Sequence, residues 1–82
     1  MTKEFIKKNI RLSLELDSYM AKNPKLLNKV PNGASLIIVS SSDRKLSKEN
    51  LNIAKKSRSN NFIVAHKEGN NWSLESLESH TG

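Results

Sequence analysis

The spacing of apolar and polar positions divides the chain into six elements, beginning with two helices. Thr2 is a helix-capping residue type, and the apolar periodicity after it predicts a helix to about Lys22. Asn23 and Pro24 end that helix, because the residue before a proline avoids the helical region. A short second helix is predicted from Pro24 to about Asn28, with proline at its first position.

Two apolar runs predict strands on either side of a third helix. Residues 34–40 contain a continuous apolar stretch rich in β-branched residues, Leu36 to Val39, which favours a central strand that is covered on both faces. Ser47 is interpreted as the cap of a helix to about Ser57, and residues 62–65 form the second strand. Two strands joined by a helix of about three turns are normally parallel, with a right-handed crossover.

A third strand completes the predicted fold. Residues 68–71 form a turn cluster, and the alternation over 72–77 predicts an antiparallel strand that could pair with either edge of the sheet. The expected fold class is a small two-layer α/β domain in the order helix, short helix, strand, helix, strand, strand, with one parallel βαβ unit. We expect a single domain over residues 1–78 and a disordered tail over 79–82.

Composition narrows the classes of protein and the partners. The chain has 82 residues, no cysteine and a formal net charge of +6, so neither a disulfide framework nor a thiolate metal site is available. Its longest apolar stretch is far shorter than the roughly 20 residues that span a bilayer, and we expect a cytoplasmic protein that does not bind membranes. The basic balance permits a nucleic acid, an acidic protein surface or a phosphate as partner.

The first candidate site lies on the first helix, whose apolar arc is wider than packing on one sheet requires. Asn9, Ser13 and Asp17 form a polar stripe in that arc at the spacing i, i+4, i+8. Buried polar groups need hydrogen-bond partners, so the stripe is either paired at the edge of the core, placed at a subunit boundary, or part of a ligand site. We expect an interaction seam there that includes Leu16 and Tyr19.

The second candidate is a polar loop after the first strand. Ser40, Ser41, Ser42 and Asp43 stand at the carboxyl end of that strand, just before the predicted helix start at Ser47. Ligands bind at this place in open α/β sheets, and a helix start presents free N–H groups to an anion. No glycine lies between residues 40 and 50, so neither common phosphate-binding loop is present, and a polar loop bonded to its own backbone is the alternative.

The third candidate is the basic outer face of the third helix. Lysines on such a face can neutralise phosphates of RNA or DNA, although a solvated helix face is the alternative. The chain has few aromatic residues, so no base-stacking platform is visible. The predicted contacts are Lys45, Lys48, Lys55, Lys56 and Arg58.

Signals for catalysis are sparse. His66 ends the second strand and His80 lies in the tail, and no second histidine stands at a metal-ligand spacing from either. Serines together with one histidine are common in small domains and do not indicate a triad. No catalytic residue, metal site or cofactor is predicted.

A set of residues spread over most of the chain marks the turns and helix ends. The set consists of Lys8, Asn9, Leu12, Leu16, Tyr19, residues 23–27, residues 30–34, Asp43, Leu46, Asn50, Leu51 and Ala54. This pattern resembles that of a family of short bacterial and archaeal proteins known only as a domain of unknown function. The likeness covers about residues 5–66 and implies no activity. In that family the strand after the proline turn commonly ends in an acidic loop, whereas this chain has three serines and Asp43 there, which argues against an acidic metal site.

Taken together, these patterns predict a non-enzymatic interaction or regulatory domain that associates through its first helix, as a homodimer or with a small protein partner. One alternative is a basic nucleic-acid-binding module. The other is a domain that binds a small ligand or phosphate at the end of the first strand.

Overall fold

Six elements follow one another in the predicted order. The computed structural model describes residues 2–57 and 61–77, so the predicted tail and His80 lie outside the described residues. The elements are α1 (Lys3–Lys22), α2 (Pro24–Leu27), β1 (Ser35–Ser40), α3 (Arg44–Lys56), β2 (Phe62–Glu68) and β3 (Asn71–Ser76).

The ends of α1 and the start of α2 are set by local capping groups. The Thr2 hydroxyl accepts a hydrogen bond from the Phe5 N–H at 3.2 Å, which confirms the predicted cap. At the other end the Asn23 side chain donates to the Tyr19 carbonyl at 2.8 Å, and Pro24 takes the first position of α2. The chain therefore leaves one helix and enters the next without an intervening loop.

The three strands form one mixed sheet in the order β1-β2-β3. β1 pairs with β2 in parallel, and β3 pairs with β2 in antiparallel orientation. Ile38 lies opposite Ala65, which in turn lies opposite Leu74. The prediction that the first strand is central was wrong: the hairpin after β2 places β3 on the remaining edge of β2, which leaves β1 at the edge of the sheet.

One face of the sheet packs against α1. Leu16 and Met20 of α1 join Ile38, Ala65 and Leu74 in the main cluster of buried side chains. Successive side chains of a strand point to opposite faces, so these three strand residues mark a single side of the sheet. In this cluster Leu16 and Met20 are removed from water.

The other face packs against α3. Leu46 and Ala54 of α3 are buried but lie outside the cluster under α1, and so do Val39 and Val64, which alternate with the residues of that cluster. α3 therefore lies on the side of the sheet opposite α1, and the sheet lies between the two helices. This arrangement explains why the neighbouring residues Ile38 and Val39 are both buried although their strand is at an edge.

The start of α3 differs from the prediction. The helix begins at Arg44, and Asp43 is its cap, with a carboxylate oxygen that accepts from the Leu46 N–H at 3.1 Å. Ser47, which was predicted to be the cap, is buried one turn inside the helix. The sequence offered two capping residue types four positions apart, and the loop from β1 is short enough that the first of them starts the helix.

Candidate functional site

The wide apolar arc of α1 is divided into a buried part and an exposed part. Leu16 and Met20 are 1% and 6% exposed, whereas Ile6, Ile10 and Leu14 are 46%, 57% and 63% exposed. We call Ile6, Ile10 and Leu14 the α1 strip. Residues four apart on a helix lie on the same side, so these three side chains form one contiguous apolar surface.

The residues of the predicted seam are distributed around this helix. Leu16 fills the core and Tyr19 packs half-buried beside it, while Ser13 and Asp17 are exposed next to the α1 strip. Asn9 turns toward α3. The α1 strip belonged to the wide arc seen in the sequence, but periodicity alone could not show which part of the arc the sheet would cover.

Asn9 and Asn50 form a reciprocal pair that joins the two long helices. The Asn9 amide nitrogen donates to the Asn50 side-chain oxygen at 3.1 Å, and the Asn50 amide nitrogen donates back at 2.8 Å. The same Asn50 nitrogen donates to the Ile38 carbonyl of β1 at 2.9 Å. Asn50 is buried, so these bonds replace the water that its amide loses, and they fix both helices to the edge strand.

A shallow groove of about 240 Å³ lies beside the asparagine pair. It separates α1 from β1, next to the exposed residues of α1. The groove is lined by Asn9, Ser13, Leu36, Ile37, Ile38 and Asn50.

The predicted ligand loop is closed by bonds among its own groups. The Ser47 hydroxyl oxygen accepts from the Ser40 N–H at 2.8 Å and lies 3.0 Å from the Ser40 carbonyl and 2.8 Å from the Asp43 carbonyl. The Ser40 and Ser42 hydroxyls lie 3.0 Å apart. Ser41 is exposed. The structure thus brings the five predicted residues together: the Ser47 side chain joins α3 to β1, and the Asp43 side chain caps α3.

Asp43 supplies the negative charge at the start of α3. The Leu46 N–H holds the pKa of this carboxyl below its usual value, and the Lys8 ammonium, 3.0 Å from the other carboxylate oxygen, lowers that pKa further. A helix start favours one negative charge because of its dipole. The carboxylate already occupies that position, which disfavours a second anion such as phosphate.

The outer face of α3 is basic along its whole length. At 100° per residue its basic side chains fall on one side of the helix. They are all exposed, and Arg58 lies outside the described residues. Arg44 was missed because the helix was predicted to begin later. The face consists of Arg44, Lys45, Lys48, Lys55 and Lys56.

Metal chemistry and membrane spanning have no counterpart in the described part of the chain. Within residues 2–57 and 61–77, His, Asp and Glu do not gather in any group of three that could hold a metal ion. No helix in those ranges is long and apolar enough to cross a membrane. His66 is half-buried on β2 opposite Ser73.

Comparison with known families gives a match over more than half of the chain. The family model of DUF5647, a family of unknown function, matches residues 4–66. The chain belongs to this family. No curated protein and no solved structure matches the chain. The DUF5647 match begins in α1 and ends in β2, so it includes the α1 strip, the asparagine pair and the basic face of α3, and it confirms the resemblance seen in the sequence.

Proposed function

We propose that this DUF5647 protein is a non-enzymatic protein-interaction domain that binds its partner through the α1 strip. The observation that carries the proposal is the exposure of Ile6, Ile10 and Leu14 on a helix whose other side already fills the core. Single exposed apolar residues are normal on protein surfaces, but a contiguous apolar surface marks a place of association. The strip is part of a long regular helix, which offers a partner a rigid surface.

The size of the strip sets the strength of binding that we expect. Full burial of an isoleucine or leucine side chain contributes about 1.5–3 kcal/mol, so completing the burial of three that are half exposed contributes roughly 3 kcal/mol per chain. Association costs about 4 kcal/mol or more in lost translational and rotational freedom. The partner must therefore contribute an apolar surface of its own, and binding through these residues alone is weak.

The remaining polar groups support a binding role over a catalytic one. Asp43 and Ser47 at the strand end are bonded to Lys8, Leu46 and Ser40, in contacts that cap α3 and connect elements of the fold. These bonds stabilise the junction of β1 and α3. Because the chain lacks cysteine, we also propose the reducing cytoplasm as its location.

Site-specific photo-crosslinking in the cells that produce the protein tests this proposal. A photoreactive amino acid at position 10 should give a discrete crosslinked band, because Ile10 lies at the middle of the strip. Leu27 is the matched control, since it is an apolar residue of α2 with 49% exposure outside the strip. Equal crosslinking at both positions, or none at position 10, would show that the strip is not a specific interface.

A second candidate function rests on the basic face of α3. Five exposed cations on one side of a helix can neutralise phosphates of RNA or DNA and release counterions. Binding to an oligonucleotide should then weaken steeply with salt, and the double variant Lys48→Glu, Lys55→Glu should abolish it. Lys25→Glu, Lys29→Glu makes the same change of net charge near α2 and should leave most of the binding. Equal losses in the two double variants would mean that net charge alone is responsible.

A further inference from the structure

We propose that the partner of the α1 strip is a second copy of this chain, and that the two α1 helices pack antiparallel about a two-fold axis at Ile10. This inference rests on the proposed function and adds the identity and orientation of the partner. It comes from the arrangement of charged and apolar side chains along one side of α1.

On the exposed side of α1, the apolar side chains lie at equal distances on either side of Ile10. The two ends of this side carry opposite charges. Ile6 and Leu14 are each four residues from Ile10, and Lys3 and Asp17 are each seven residues from it. At 100° per residue these five side chains fall within roughly 80° of the helix circumference. All five are exposed, so the apolar strip runs from a cation at one end to an anion at the other.

A two-fold axis through Ile10 matches each of these side chains with a suitable one. Ile10 meets Ile10 of the second copy, and Ile6 meets Leu14 of the second copy. Lys3 then lies opposite Asp17 of the second copy, and the symmetry repeats this pair at the other end. Parallel packing would instead place Lys3 against Lys3 and Asp17 against Asp17, which repel. The charges therefore select the antiparallel orientation.

Lys3 and Asp17 are each seven residues from Ile10, which is close to two helical turns. All five side chains can therefore stay in contact with the second copy. Helices that pack at a small crossing angle contact each other through residues spaced three and four apart. The α1 strip and the two charged residues that flank it, Lys3 and Asp17, have this spacing. A steep crossing would separate the charged ends. The geometry thus predicts a shallow antiparallel pair.

Light scattering over a concentration series is the first test. The native mass should approach twice the 9.2 kDa of the chain as concentration rises into the high micromolar range. Ile10→Asp should remain monomeric, whereas Leu27→Asp, with the same chemical change at a similarly exposed site, should associate like the unmodified protein. A strictly monomeric protein whose position-10 crosslink has another mass would overturn the second-copy inference and leave the proposed function standing.

Engineered thiols test the axis, because the chain has no cysteine of its own. Ile10→Cys should form a disulfide-linked dimer under mild oxidation, and Leu27→Cys should not. A mixture of Ile6→Cys and Leu14→Cys should form mixed dimers in preference to either self-linked dimer. If the Ile6→Cys chains link to each other instead, the antiparallel register is overturned.

Charge reversal tests the selection of orientation. Lys3→Glu and Asp17→Lys should each weaken association on the order of ten-fold, since each replaces two attractive pairs with two repulsive ones. The double variant Lys3→Glu, Asp17→Lys restores opposite charges and should associate like the unmodified protein. Additive losses in the double variant would show that these residues do not face each other.

Discussion

The two long helices of this domain differ in what they present to solvent. α3 buries Leu46 and Ala54 and covers its outer face with five basic side chains. α1 buries Leu16 and Met20 but leaves the α1 strip exposed. α3 also has an exposed apolar residue, Ile53, yet it stands alone. The comparison shows that a single sheet covers only part of a wide apolar arc, and the part of α1 that stays exposed is the surface that we propose for association.

The two helices are nevertheless joined by side-chain bonds at the edge of β1. The Asn9–Asn50 pair and the Lys8–Asp43 ion pair both run from α1 to the β1–α3 region. Lys8 and Asn9 lie in the N-terminal part of α1, between Ile6 and Ile10 of the α1 strip. The contacts that hold α1 to α3 therefore also fix the orientation in which the strip is presented.

The largest expected effect is a difference in the free energy of unfolding between variants on the buried and the exposed part of α1. Leu16→Ala should lower the free energy of unfolding by about 2–5 kcal/mol, because it opens a cavity in the core. Leu14→Ala, the same truncation on the exposed part, should change it by less than about 0.5 kcal/mol. Urea titrations at low protein concentration measure both without a contribution from association. Similar losses in the two variants would mean that the strip is buried within the fold.

The next effect concerns Asn50, one of the two buried polar residues of α3. Asn50→Ala leaves the Ile38 carbonyl and the Asn9 side chain without one of their partners, and each unsatisfied buried group costs about 1–3 kcal/mol. We expect a loss of about 2 kcal/mol in the free energy of unfolding. Asn52→Ala is the matched control, since Asn52 is exposed on the same helix and should cost little. Equal costs would show that the asparagine pair does not connect the helices.

Local signals in the sequence were sufficient for most of the fold. Thr2 acts through a hydrogen bond within one turn and Pro24 through the steric restriction of its neighbour, so the predicted limits of α1 and α2 agree with the structure. The parallel β1–β2 pair follows from the length of the intervening helix, and the antiparallel β3 follows from the turn before it. Family membership was also visible in the residues that mark the turns and helix ends.

Features set by contacts distant in sequence could not be predicted in the same way. Two capping residue types stood near the start of α3; Asp43 caps the helix, and Ser47 lies within it and bonds to Ser40 of β1. Asn9 looked like a member of a seam because its partner lies far along the chain. The sequence showed that the apolar arc of α1 was too wide, but only the position of the sheet shows which side is left exposed.

The smallest expected effect is the pH-dependent contribution of Asp43 to the free energy of unfolding. Its carboxylate contacts both α3 and α1. The folded pKa of Asp43 is lowered from 3.8, mainly by the Leu46 N–H and then by Lys8, so its charge stabilises the fold above about that pH. This contribution disappears as the pH falls from the unfolded value through the lower folded pKa. Asp43→Asn keeps a capping oxygen but has no charge, and we expect it to be less stable by about 0.5–1 kcal/mol at neutral pH.

Urea titrations of the unmodified protein and of Asp43→Asn over a range of pH measure this difference directly. The difference should shrink toward zero in acid, because the unmodified carboxyl then becomes neutral as well. Lys8→Met should reduce the difference at neutral pH without removing it, since the Leu46 N–H is the larger cause of the lowered pKa. If Lys8→Met removed the whole difference, the bridge to α1 would matter more than the helix cap. A difference that does not vary with pH would show that the charge of Asp43 does not contribute to joining the two helices.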